Sequence, residues 1–223
     1  MHDKELSHEE SLKLISSMIG QAKDAYHDTG IGAMLWGIVI AICSIVKFTE
    51  IHFNYRLPFD IFLLTIVAII PQIIISAKEQ RNRNRSFKTY DEVFLKYIWI
   101  GFGIAIFLLI FINNAVFQSW QPVAKEYTAL TGNAPSFRFS EFVPAYFLLL
   151  YGLPTFITGT ACHFKPMLWG GIFCWVCCLI TLYSNTETDM LLTALSALVA
   201  WFFPGLLMKR EYQKSKRKES ADV

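Results

Sequence analysis

Asp60, Asn113, Asn114, His163 and Lys165 stand out among the polar or ionisable side chains within or beside the long apolar runs of this chain. Such groups are costly in a nonpolar surrounding, and they are functional candidates for that reason. Asp60 opens an apolar run, where a carboxylate meets the positive end of a helix dipole and stays hydrated. Asn113 and Asn114 fall near the end of another run, placed to hydrogen-bond across helices or to meet headgroups. His163 and Lys165 belong to a tight turn. A proton relay needs carboxylates or histidines at the middle of such runs, and this pattern therefore speaks against a proton-coupled pump.

Pro71, Pro154 and Pro204 each interrupt an apolar run. A proline removes one backbone donor and kinks a helix, freeing a carbonyl to face a cavity. Gly152-Leu153-Pro154, beside Tyr151 and Thr155, gathers small and polar residues at one bend. Tyr151, Pro154, Thr155, Asn113, Pro71 and Pro204 are accordingly the candidate cavity or hinge residues.

Cys174-Trp175-Val176-Cys177-Cys178 holds two thiols one helical turn apart, a spacing compatible with metal or redox chemistry. At mid-run, desolvation disfavours the thiolate, and cysteine acts there as a small hydrophobe. His8-Glu9-Glu10-Ser11-Leu12 begins like a zinc-protease motif but has leucine at the second histidine position. There is no phosphate-binding glycine loop and no nucleophile elbow. No catalytic residue, cofactor or metal site is expected.

The elements that would position these residues are helices crossing a membrane. Hydrophobic residues make up 54% of the chain, above the roughly 45–50% of soluble domains. The excess lies in long runs. Crossing a hydrocarbon core of about 30 Å takes roughly 20 apolar residues. Six segments fit: Ile31–Phe48, Pro58–Ala77, Tyr97–Phe117, Phe142–Cys162, Met167–Tyr183 and Met190–Met208. They are apolar on every side, which excludes the alternation of a β-barrel, and an open strand would leave amides unpaired in lipid.

Lysine and arginine set the orientation, because cytoplasmic loops carry the excess. Of the 20 basic residues, 16 fall on one side, chiefly in 78–96 and 209–218, and only Lys47, Arg56, Lys125 and Arg138 on the other. Both termini are thus expected in the cytoplasm. The basic stretches beside the membrane answer to topology and anionic lipid rather than to nucleic acid. Residues 1–28 carry six acidic groups, three lysines and no apolar core, so the first span is expected to act as the insertion signal.

Within that segment, Ser7 and Glu10 have capping-box spacing, and Leu12, Ile15, Met18, Ile19, Ala22 and Tyr26 form one apolar stripe. Residues 7–27 read as an amphipathic helix, packed on its own membrane domain or at the interface, or else docking a membrane or cytoplasmic partner. The longest external connection is expected at Gln118–Glu141, with Val123–Leu130 as a short helix and a turn at Asn133-Ala134-Pro135-Ser136.

Met34-Leu35-Trp36-Gly37 recurs as Met167-Leu168-Trp169-Gly170, and Pro71 and Pro204 each follow the respective tryptophan by 35 residues. Spans 1–2 and 5–6 thus read as a two-helix internal repeat about an axis along the membrane normal. Duplicated hairpins of this kind occur in transporters and in plain bundles alike.

The runs Gly152–Gly159, Phe164-Lys165-Pro166 and Gly170–Trp175 are similar to an uncharacterised family of small bacterial six-span integral membrane proteins. Phe203-Pro204-Gly205-Leu206-Leu207, the basic tail, Ser7–Leu12 and Trp36-Gly37 share the resemblance. It implies a bacterial inner-membrane location and supplies no activity. The expectation is an all-α, six-transmembrane-helix bundle over 29–208, with a cytoplasmic amphipathic helix in 1–28 and a basic tail in 209–223. A non-enzymatic regulatory, sensory or complex-forming role is favoured. The alternative is a small-solute transporter or channel subunit, and a lipid-modifying enzyme ranks third.

Overall fold

The computed structural model describes residues 29–82, 90–135 and 139–219. Among them the chain is all-helical. Helix α1 is Ile31–His52; a 3-10 turn at Ile61–Leu63 leads into α2, Leu64–Asn82. Helix α3 is Tyr90–Thr131, and α4, Val143–Ala161, follows a 3-10 turn at Phe139–Phe142. Helix α5 is Lys165–Thr181, and α6, Thr186–Ala197, passes through a π-helical turn at Leu198–Phe202 into α7, Phe203–Glu219. Among the described residues, five helical segments are long and apolar enough to cross a membrane: Ile31–His52, Ile61–Glu79, Val93–Thr131, Phe139–Ala161 and Thr186–Lys214. The α5 segment is shorter, at 17 residues, or about 26 Å of helix.

Burial separates an inner set from an outer one. Only 6% of the apolar window is buried in the segments of α2 and α3, against 50% in that of α4. The core is therefore built from α1, α4, α5 and the α6–α7 rod, and α2 and α3 flank it with Ile66, Ile70, Ile73, Phe107 and Phe111 outward. In water such a surface would aggregate, and against lipid chains it is at rest.

Lipid also removes the hydrophobic drive between helices, so close packing has to hold them. Glycine supplies the approach. A Cβ at Gly159 would stand 2.3 Å from the Leu168 amide nitrogen, and one at Gly171 would stand 2.7 Å from that of Phe156, which locks α4 against α5. Gly30 enters α1 at φ 69°, and a Cβ there would meet the Gly205 carbonyl oxygen at 2.2 Å. Glycine is required at this position on both counts.

Neighbouring helices run antiparallel. Thr29 bonds Glu79 at one end of the α1–α2 pair, and the Cys43 thiol reaches the Ile61 carbonyl toward the other. Gly37 lies at Phe202, and His52 pairs with Glu187 at 3.6 Å, which orients α1 against the α6–α7 rod. One end of the bundle thus gathers Lys78, Arg81, Lys209 and Arg210, and His52, Asp60 and Glu187 lie at the opposite end.

Two boundaries and one interior turn differ from expectation. Helix α3 has 42 residues, about 63 Å, and absorbs most of the connection expected at Gln118–Glu141. Pro122 sits inside it, near its C-terminal end. The apolar spacing of Trp120, Val123, Tyr127 and Leu130 belongs to this continuous helix rather than to a separate short one. The basic tail from Lys209 is helical through Glu219 and continues the last apolar segment. The π turn precedes Pro204 by one residue; widening the helix there relieves the clash of the proline ring with the carbonyl four residues back. The amphipathic helix expected at 7–27 lies outside the described residues.

Candidate functional site

Two places hold the side chains of interest, one in the middle of the core and one at the end opposite the basic helices. In the middle, Trp201 is held by the π turn and is 3% exposed. Its Nε1–H donates to the Thr155 hydroxyl at 2.7 Å, and that hydroxyl donates to the Tyr151 carbonyl at 2.7 Å. One turn further, Trp99 Nε1–H of α3 donates to the Thr158 hydroxyl at 3.2 Å, which in turn donates to the Pro154 carbonyl. Each threonine thus serves as relay between an indole and the backbone turn around Pro154, where the ladder is short of a donor. Trp175 reinforces the same stretch by donating to the Leu149 carbonyl at 3.2 Å.

Aromatic rings close the space around these bonds. The Tyr151 ring lies 4.8 Å from that of Trp201 and 6.1 Å from that of Phe102, spacings at which aromatic pairs attract. Thr155 and Thr158 are both fully buried, and Tyr151 is 6% exposed. Tyr151, Pro154 and Thr155 therefore come together as expected for neighbours on one helix, but in a packed layer rather than around a cavity. Pro204 is fully buried just beyond the π segment. Pro71 lies on the outer helix α2, away from this layer.

Asn113 is elsewhere too. It lines an open groove of about 590 Å³ with Asn114, Phe117, Gln118, Gln121 and Val143, between α3 and the start of α4. Gln118 donates to Asn114 at 2.8 Å, and both amide atoms of Asn113 are buried without a hydrogen-bond partner. The cysteines behave as small core residues: Cys174 and Cys177 face Ser196, and Cys178 leans on the Ala145 carbonyl at 3.3 Å. Among the described residues, no group of three or more His, Cys, Asp or Glu is arranged to hold a metal ion. The Asp60 carboxylate caps the 3-10 turn by accepting the Phe62 amide at 3.0 Å. His163 occupies the α4–α5 turn at φ 53°.

At the end opposite the basic helices lies a carboxylate that sequence reasoning passed over. Asp189, in the first turns of α6, is 1% exposed. Its Oδ1 accepts the Ser184 hydroxyl, and its Oδ2 has no partner among the described residues. The run Ser184-Asn185-Thr186-Glu187-Thr188-Asp189 reads as a solvated helix start, so nothing in its composition marks Asp189 as buried. Spacing carries the one available signal: Asp189, Thr193 and Ser196 stand at i, i+4 and i+7 on a single face, and all three are buried.

No family model, no curated protein and no solved structure matches this chain.

Proposed function

We propose that the chain is a six-span protein of the bacterial inner membrane, with both termini cytoplasmic, that acts by contact with other proteins and catalyses no reaction. The observation that carries this reading is the closed layer at mid-core. Tyr151, Thr155 and Thr158, the side chains best suited to line a solute path, are buried, and both threonine hydroxyls are engaged by Trp201, Trp99 and backbone carbonyls. A bundle sealed in this way has its variable chemistry at its ends. There the gathering of Lys78, Arg81, Lys209 and Arg210 at one end supports a cytoplasmic face, by the excess of basic residues on that side.

The small-solute transporter remains the second reading, and one observation favours it. Gly37 packs on Phe202 and Gly170 on Ala200, so the two glycines of the repeated Met-Leu-Trp-Gly motif both bear on the π turn. A π turn gripped from both sides in this way is where a rod would flex.

Crosslinking and pull-down in native membranes, comparing the full chain with one lacking residues 1–27, separates the readings. The contact reading expects a defined partner that is lost on truncation. Solute flux through liposomes containing the purified protein, with no partner found in either form, would favour transport instead.

A further inference from the structure

A buried carboxylate is tolerated when something positive or protic meets each oxygen, and the Asp189 Oδ2 is met by nothing among the described residues. Ser184 satisfies the other oxygen. The described ion pairs are Lys47–Glu50 and His52–Glu187, so no described basic side chain is paired with Asp189. Of the charged groups nearby, Glu141, just before α4, adds a second negative charge to its surroundings, and Glu187 on the same helix is engaged by His52. Burial and the Glu141 charge both weigh against a bare anion at this position, so the carboxylate calls for a counter-charge. The arrangement is one buried carboxylate and one hydroxyl, with one carboxylate oxygen open to a counter-charge.

The oxygen set also narrows the ion. Calcium and magnesium sites draw on several carboxylates or on phosphate, and zinc on nitrogen and sulfur. One buried carboxylate and one hydroxyl suit a single positive charge. We propose that Asp189 and Ser184 form a monovalent-cation site at the end of the bundle opposite the basic helices. The inference stands on these residues and holds whether the protein signals or transports.

The test is thermal unfolding of the full-length protein in detergent at pH 8. NaCl and KCl are each titrated against choline chloride at constant ionic strength, and a choline-only series runs from pH 8 to pH 5. The expected result is a saturable rise in Tm with an alkali cation, roughly 5–10 °C at a hundredfold excess over its Kd. Asp189→Asn should abolish the rise. Ser184→Ala, which keeps the charge, should raise the apparent Kd about tenfold, and it carries the test if the first variant does not fold. No alkali-specific rise in the wild type would overturn the proposal, as would an equal rise in Asp189→Asn or an unchanged Kd in Ser184→Ala. A rise on acidification alone would overturn it too, since Asp189 would then take a proton.

Discussion

Gly170→Ala adds one methyl group at a confined crossing between α5 and the π turn. The new Cβ would stand 2.6 Å from the Ala200 Cα and 3.2 Å from the Val199 carbonyl oxygen, both backbone atoms of the π turn. Comfortable carbon–carbon contact needs about 3.5–4.0 Å, so α5 and the rod must part by roughly 1 Å. Neither is free to do so, because Gly159 and Gly171 clamp α5 to α4 on its other side. Overpacking of this kind costs about 1–3 kcal/mol, and backbone on both sides puts the expected loss near 3 kcal/mol. The control is Gly101→Ala on α3, where nothing lies within 4 Å of the added carbon. There the better helix propensity of alanine operates alone and stabilises by up to about 1 kcal/mol. Reversible unfolding in mixed micelles titrated with SDS, read by circular dichroism and tryptophan fluorescence, measures both. Equal effects from the two substitutions, or a stable Gly170→Ala, would refute the packing of α5 on the π turn.

Trp201→Phe removes the indole donor to Thr155 and should cost about 1–3 kcal/mol, since the buried hydroxyl keeps its bond to the Tyr151 carbonyl but its acceptor side is left unmet. A double-mutant cycle with Thr155→Val on the same unfolding assay should show coupling of at least about 0.5 kcal/mol. Pro122→Ala should leave the helical content of α3 intact or raised by circular dichroism, because the proline is already accommodated within the helix. Asp60→Ala should lower stability by about 1 kcal/mol through loss of the capped Phe62 amide, with Asp60→Asn retaining most of it.

The helices were legible in the chain because apolar runs of this length have few other solutions, and the interruptions by charge and glycine are abrupt. Their ends were less so. Gln118–Thr131 carries enough polar residues to read as a connection, yet Ala124, Lys125, Glu126 and Leu130 are strong helix formers, and the helix runs on through Pro122. Tyr151, Pro154 and Thr155 were readable as a special bend from glycine and proline beside polar groups. The partners of the two threonines were not readable, because Trp99 and Trp201 lie 59 and 46 residues away from Thr158 and Thr155. Asp189 escaped notice for the opposite reason. Its neighbours in sequence are polar, and burial there comes from α1 and α4 closing over the start of α6, which no local pattern records.

The most direct test is side-specific thiol labelling of single cysteines placed in a chain whose five native cysteines are alanine. An impermeant maleimide applied to intact spheroplasts should label Tyr55→Cys and Lys125→Cys. Lys165→Cys and Lys214→Cys should react only after permeabilisation. Lys165 decides the matter, because it opens the 17-residue helix α5. Labelling there from outside would mean that α4 or α5 does not cross, and the six-span bundle would be wrong.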